Sequence, residues 1–317
     1  MNTEVRVAVC SRSFSKNIVL RKELLAQYKS VTFNDSGVQL EGDNLIEFLR
    51  GHDKAITALE TINDYILSNL PELKVIGKYG VGLDMIDMES MHKHGVRLGW
   101  VGGVNRRSVS ELVIAFAINM LRHVVVANGE VPTGVWRQIM GGQLSGRTVG
   151  IIGCGHVGKD LVTLLEPFGC KVLVNDIVDY PNFYNIHNIE PVSLPDLMAN
   201  SDVVSIHVPL DKSTRGILDK EMLSLMKPSA ILINLARGGL VNERALKEML
   251  INKMIAGAAF DVFESEPPSD MELLALPNFF ATPHIGGSSE EAVIAMGRSA
   301  IKGLVENTVP EINPHCI

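Results

Sequence analysis

The stretch Val149–Lys159, VGIIGCGHVGK, decides the fold. It holds Gly153, Gly155 and Gly158 in a G-x-G-x-x-G array, at the end of the apolar run RTVGIIG and the start of a helical pattern, GHVGKDLVTLLEPFG. The next apolar run, KVLVND, closes on Asp176. Strand, glycine turn, helix, strand and acid in that order are the layout of a dinucleotide site. The first glycine permits the tight turn, the second lets a pyrophosphate reach the backbone, and the third lets helix and strand pack closely. The helix N-terminus then faces the phosphates with its partial positive charge. Asp176 is placed to bond the ribose hydroxyls. IVDY follows it, with no arginine to receive a 2′-phosphate, so the expected cofactor is NAD rather than NADP.

On either side of this stretch, apolar strand-like runs alternate with helical segments. Downstream come CKVLVND, DVVSIHV, SAILINL, IAGAAFDV and FFATPHI; upstream come VRVAVC, KAITAL, LKVIGKYG and VRLGW. The downstream runs are apolar on both faces, which calls for parallel strands covered by helices, a doubly wound α/β fold. Two such blocks in 317 residues give two α/β domains. A fingerprint this far along the chain leaves a whole α/β block ahead of it, the candidate substrate domain. SVSELVIAFAINMLRHVVVA, from Ser108, reads as one long apolar helix opened by a capping box of Ser108 and Glu111. It is too apolar for a solvated position and is expected between domains or at a subunit contact. The tail PEINPHCI reads as a surface end, with His315 and Cys316 facing solvent rather than a metal.

Composition narrows the function classes. A formal net charge of −7 disfavours nucleic acid or an anionic membrane as partner, because both call for a basic surface. The four cysteines form no C-x-x-C pair, which fits reduced thiols in a cytoplasmic protein. The N-terminus, MNTEVRVAVC, lacks the apolar core of a signal peptide, and no uncharged apolar run approaches the length of a membrane span.

Three polar groups stand at or just past strand ends downstream of the fingerprint: Arg237 after AILINLA, Glu266 after AAFDVFES, and His284 after FFATP. Ligands of an open parallel sheet bind outside the C-terminal ends of its strands. A 2-hydroxy or 2-keto acid offers a carboxylate beside a carbinol or carbonyl, which a guanidinium can grip with paired hydrogen bonds. Proton transfer at the C2 oxygen needs an acid–base group, which histidine supplies, and a carboxylate against the imidazole orients it and stabilises its protonated form. Taken singly, Arg237 also fits a structural ion pair, Glu266 a loop charge and His284 a turn residue. In NLARGG, Asn234–Gly239, the small residues are expected to let substrate and nicotinamide lie against the backbone, and Gly238 and Gly239 to let the chain turn away.

LSGRTVGIIGCGHVGK, HVPLDKSTRGILDKEMLSLMKPSAILINLARGGLVNERAL, AAFDVFESEPP and TPHIGGSSEEA together resemble the D-isomer-specific 2-hydroxyacid dehydrogenase family. LPELKVIGKYGVGLDMID is similar to the family's substrate loop, and GVNRRSVSELV to the start of its interdomain helix, so the resemblance covers nearly the whole chain. It implies a Rossmann NAD-binding domain, 104–287, inserted in a flavodoxin-like substrate domain, 1–103 and 288–317. It implies Arg237, Glu266 and His284 as the catalytic set. His284 would be the acid/base and Glu266 its tuning partner. It places the cofactor against Gly153, Gly155, His156, Val157, Gly158, Asp176, Val208, Ala236, Asp261 and Gly286, with Asp261 on the nicotinamide carboxamide. It places the substrate against Lys78, Val81, Gly82 and Arg237, with no metal, and implies a homodimer.

Within the family the look is nearest to phosphoglycerate dehydrogenases without their C-terminal regulatory extension. WVGGVN, Trp100–Asn105, departs from the usual Asn-Thr-Pro-Gly, and Thr57 falls near a position where phosphoglycerate-using members carry arginine. Hydroxypyruvate and glyoxylate stay open as substrates beside 3-phosphoglycerate. An NAD-sensing binding protein of the same fold and a formate dehydrogenase-like enzyme are the alternatives. The first predicts a damaged triad; the second predicts glutamine at position 266.

Overall fold

The computed structural model describes residues 2–311, so His315 and Cys316 lie outside the described residues. The chain divides into unit 1, Met1–Asn105 with Ser288–Ile317, and unit 2, Arg106–Gly287. Both are α/β, and every strand pairing in the two sheets is parallel.

Unit 1 holds β1 (Asn2–Val9), β2 (Tyr28–Phe33), β3 (Lys54–Thr57), β4 (Val75–Lys78) and β5 (Arg97–Gly99). Their order is β2-β1-β3-β4-β5, the flavodoxin-like winding. One face of the sheet buries Ala8, Ala55 and Ile76 against Leu45, Leu49, Ile66 and Met91. The other buries Val7, Val9, Ile56 and Val75 against Leu20, Leu24, Ala300 and Ile301. The inner strands β1, β3 and β4 are thus covered on both faces, while the edge strand β2 stays mostly exposed. The helix Glu290–Gly303, capped by Ser289, closes the second face from the far end of the chain. It lies unusually close. A Cβ on Gly99 would stand 2.1 Å from the Gly303 carbonyl oxygen, and one on Gly77 would stand 2.4 Å from that of Ala300. Leu98 and Thr308 then form an antiparallel bridge beyond the helix.

Unit 2 holds β6 (Thr148–Ile152), β7 (Lys171–Asn175), β8 (Glu190–Pro191), β9 (Val203–Ile206), β10 (Ile231–Asn234), β11 (Gly257–Phe260) and β12 (Phe279–Ala281). The order β12-β11-β10-β9-β6-β7-β8 reverses direction between β6 and β9, the switch point of a Rossmann sheet. Two apolar layers cover it, one around Leu197, Leu223, Leu246 and Phe260, the other around Val113, Phe116, Leu161 and Ile233. The two-residue β8 had no sequence signal, being too short and polar to show a period.

The expected long helix differs in two ways. It begins at Arg106, so Ser108 lies inside its first turn, and the Ser108 hydroxyl donates to the Gly286 carbonyl (2.6 Å) rather than capping. It ends at Arg122, because His123 takes a left-handed conformation (φ 54°), and the helical segment Val124–Thr133 leaves at 60°. Its buried face, Val109, Val113, Phe116, Ala117 and Leu121, packs on the sheet layer of its own unit. Among the described residues no single helix is long and apolar enough to cross a membrane.

Candidate active site

Strands β10, β11 and β12 are neighbours and parallel, so the segments leaving their C-terminal ends emerge along one edge. Asn234, the last residue of β10, is buried and ties the first of these segments to itself. Its Nδ2 donates to the Arg237 carbonyl (2.8 Å), and its Oδ1 accepts from the Ala236 N–H (3.0 Å). That brace fixes the turn in which Ala236 and half-buried Arg237 stand, and Arg237 Nη1 donates to the Ala236 carbonyl (2.7 Å). Gly238 is not there to release the chain. A Cβ on it would lie 1.9 Å from the Phe263 carbonyl carbon, so it is glycine because the Phe263–Glu264 backbone crosses it. The turn itself falls to Gly239, at φ 80°.

The segment after β11 carries Glu266. Its Oε1 accepts from the Phe263 N–H (3.1 Å), and its Oε2 lies 2.8 Å from His284 Nδ1. One oxygen anchors the carboxylate while the other takes the imidazole. With Nδ1–H directed at Glu266, Nε2 is the nitrogen left to exchange a proton with a ligand. His284 sits in the left-handed region (φ 55°), an uncommon place for a non-glycine residue and one that occurs at functional sites.

Asp261, immediately after β11, keeps His284 there. Its backbone carbonyl accepts from the His284 N–H (2.9 Å). Its carboxylate, buried to 1% exposure, accepts from the Thr282 hydroxyl, the Ile285 N–H (2.8 Å) and the Gly286 N–H (2.7 Å). A buried carboxylate needs such donors to offset its lost hydration. Asp261 and Gly286 are therefore joined in one closed loop that carries His284. The resemblance pointed at Asp261 and Gly286 for the cofactor; their hold on this loop, through Thr282 and Ser108, had no sequence signal.

The glycine loop after β6 sits at the switch point. A Cβ on Gly153 (φ 94°) would meet His207 and Val208 at 2.9 Å, and one on Gly158 would lie 2.2 Å from the Gly153 carbonyl oxygen. Around Gly155 there is nothing within 4 Å of that position, so this is the point where a ligand can reach the backbone. The helix His156–Leu165 starts here, with His156 exposed and Val157 partly buried. Asp176, just past β7, has Oδ2 on the Cys154 N–H and Oδ1 on the Val178 N–H (2.8 Å), so its carboxylate is pinned beside the loop. Glycine turn, helix start and pinned acid have the layout that a dinucleotide site calls for.

The remaining candidates are in unit 1. Lys78 ends β4 at 3% exposure, with Nζ donating to the Ala58 carbonyl. Val81 and Gly82 lie in the following loop, partly exposed, after Gly80 at φ 118°. Among the described residues their N–H groups have no hydrogen-bond partner. Consecutive free N–H groups beside a left-handed glycine are suited to bind an anion.

The family model for the D-isomer specific 2-hydroxyacid dehydrogenase NAD binding domain matches residues 114–286. The glyoxylate reductase of Thermococcus litoralis is 35% identical over 283 residues, covering 86% of both chains. The D-3-phosphoglycerate dehydrogenase of Bacillus subtilis is 36% identical over 233 residues, 73% of this chain and 44% of that one. Among solved structures, a D-2-hydroxyisocaproate dehydrogenase superposes with a TM-score of 0.83 at 26% identity over 96% of each chain. With two parallel sheets, a glycine-rich turn at the switch point and relatives that align over most of its length, the chain belongs to the D-isomer specific 2-hydroxyacid dehydrogenases, oxidoreductases that use NAD.

Proposed function

We propose that the protein reduces a short, unphosphorylated 2-keto acid of the glyoxylate or hydroxypyruvate type to its D-2-hydroxy acid. The observation that carries this reading is the His284–Glu266 pair, 2.8 Å apart at the strand edge that also bears Arg237. Arg237 holds the substrate carboxylate and keto oxygen through its planar fork. His284 Nε2 gives a proton to the C2 oxygen, and Glu266 holds Nδ1 and balances the imidazolium charge. The glycine loop would hold NADH, which when bound would supply the hydride. Asp176 takes the ribose diol, His156, Val157, Val208 and Ala236 line the cofactor, and Asp261 with Gly286 frames the nicotinamide end. In unit 1, the substrate domain of this reading, Val81 and Gly82 offer their N–H groups to the carboxylate beside Lys78.

The preference for an unphosphorylated substrate rests on two residues. Thr57 is buried and neutral at the end of β3, and the Lys78 ammonium is drawn inward onto the Ala58 carbonyl. The intact Arg, Glu and His set favours catalysis over a binding-only role, and glutamate at position 266 favours a hydroxyacid over formate. We assign the protein to the cytoplasm as a homodimer. The helix from Arg106 leads into a segment whose Val124, Val125, Val131, Val135, Trp136 and Met140 are exposed, an apolar surface of the kind that subunits cover.

The test is NADH oxidation with glyoxylate, pyruvate, hydroxypyruvate, phosphohydroxypyruvate and 2-ketoglutarate. Glyoxylate or hydroxypyruvate should give the highest kcat/KM. A clear preference for phosphohydroxypyruvate would overturn the substrate assignment, and no turnover on any of the five would overturn the reading.

A further inference from the structure

We infer that Trp100 is a positioning residue for the substrate loop: its indole holds the Val81 carbonyl so that the Gly82 N–H stays aimed outward, at the substrate carboxylate. The inference rests on the assignment above of the Val81 and Gly82 N–H groups to that carboxylate, and it deepens it by naming what orients them.

Trp100 stands where WVGGVN departs from the usual family pattern, and its side chain does something specific there. Its Nε1 donates to the Val81 carbonyl oxygen at 3.1 Å. The base from which it reaches is fixed. Gly99 pairs with Gly77 across β4 and β5, and the Gly99 backbone is pressed onto Gly303. Trp100 therefore leaves the sheet beside Lys78, on a strand end that has no room to shift.

The loop it touches is anchored at both ends and carries two glycines between. At the near end the Tyr79 N–H donates to the Thr57 carbonyl (2.8 Å), and the Tyr79 ring packs edge-on against Phe14 at 5.6 Å. At the far end Ile62 donates to the Met85 carbonyl and accepts from the Asp87 N–H, both at 2.8 Å. In the middle, Gly80 and Gly82 leave the backbone free to rotate. The peptide unit joining Val81 to Gly82 is planar and trans, so its C=O and N–H point in opposite directions. Fixing the Val81 carbonyl on the indole therefore fixes the direction of the Gly82 N–H. Indole offers a single donor on a long, rigid arm, and phenylalanine offers none. Trp100 is 40% exposed, so water competes for this bond and the tether is modest in strength. Its effect belongs on substrate affinity rather than on the chemical step.

Two variants separate the donor from the ring. Trp100→Phe keeps an aromatic ring and removes the N–H; Trp100→Gln removes the ring and keeps a long donor. With the 2-keto acid that the wild type turns over best, KM should rise about tenfold in the phenylalanine variant and stay within about threefold in the glutamine variant. In both, kcat and the Kd of NADH should stay within about threefold of wild type. A KM within about twofold of wild type in Trp100→Phe, or equal rises in both variants, would overturn the inference. So would a collapse of the thermal midpoint in either, because the ring is then a structural support. A wild type inactive on every 2-keto acid would instead remove the reading on which the inference rests.

Discussion

Asp176 combines a structural role with the one we propose for it in cofactor selectivity. The Cys154 and Val178 N–H groups fix its carboxylate beside the glycine loop, yet each oxygen keeps a lone pair that a ribose hydroxyl can use. A 2′-phosphate would meet that fixed negative charge. No arginine follows in Ile177–Tyr180 to offset it. Asp176→Ala should therefore narrow the preference for NADH over NADPH by at least about tenfold, equivalent to about 1.4 kcal/mol. A wild type that uses NADPH better than NADH would show that Asp176 does not set the choice. Cys154, whose N–H makes one of those bonds, is itself inert: burial pushes its thiol up to about 11, so almost no thiolate exists near neutral pH.

At the scale of elements, what the sequence made legible and what it did not follow different physics. Parallel strands buried on both faces leave unbroken apolar runs, so AILI, residues 230–233, could be read directly. The glycine loop was legible because its residue types are dictated by local backbone approach. The break at His123 was not, because the apolar pattern runs straight through it into Val124–Val126. The role of Gly238 was hidden for another reason: the backbone it meets, Phe263–Glu264, is 25 residues away in sequence. That crossing joins the Arg237 segment to the Glu266 segment. Gly238→Ala puts a methyl carbon at 1.9 Å from the Phe263 carbonyl carbon, so one segment must move. The variant should lose stability by about 2 kcal/mol or more and lose most turnover, because Arg237 and Glu266 no longer hold their relative placement. A thermal midpoint and kcat/KM near wild type would contradict that coupling.

At the scale of the whole molecule, acid stability should carry the mark of one half-buried histidine. His207 follows β9, its Nε2 lies 2.9 Å from the Ser205 hydroxyl, and burial pushes it down from the ordinary 6.5 to about 4. Below pH 6.5 the unfolded chain binds a proton that the folded state refuses. Stability should therefore fall as pH drops from about 6.5 to about 4, by on the order of 2 kcal/mol from this group. His207→Gln should flatten that part of the denaturation profile, and an unchanged slope would show that His207 does not titrate as stated. Assembly is tested by sedimentation equilibrium. Trp136 at 85% and Met140 at 94% exposure belong to the apolar segment assigned to the partner, so a dimer is expected at micromolar concentration and a monomer would refute it. The proposed chemistry turns on whether Arg237, in NLARGG, is the substrate's clamp. The most direct measurement compares NADH affinity with turnover in Arg237→Lys, which keeps the charge and loses the bidentate fork. His284→Ala serves as the reference for lost proton transfer. The expected result is a near-normal Kd for NADH with kcat/KM reduced at least about a hundredfold in both variants. Near-normal turnover of Arg237→Lys on every 2-keto acid tested would make Arg237 a structural charge and contradict the account.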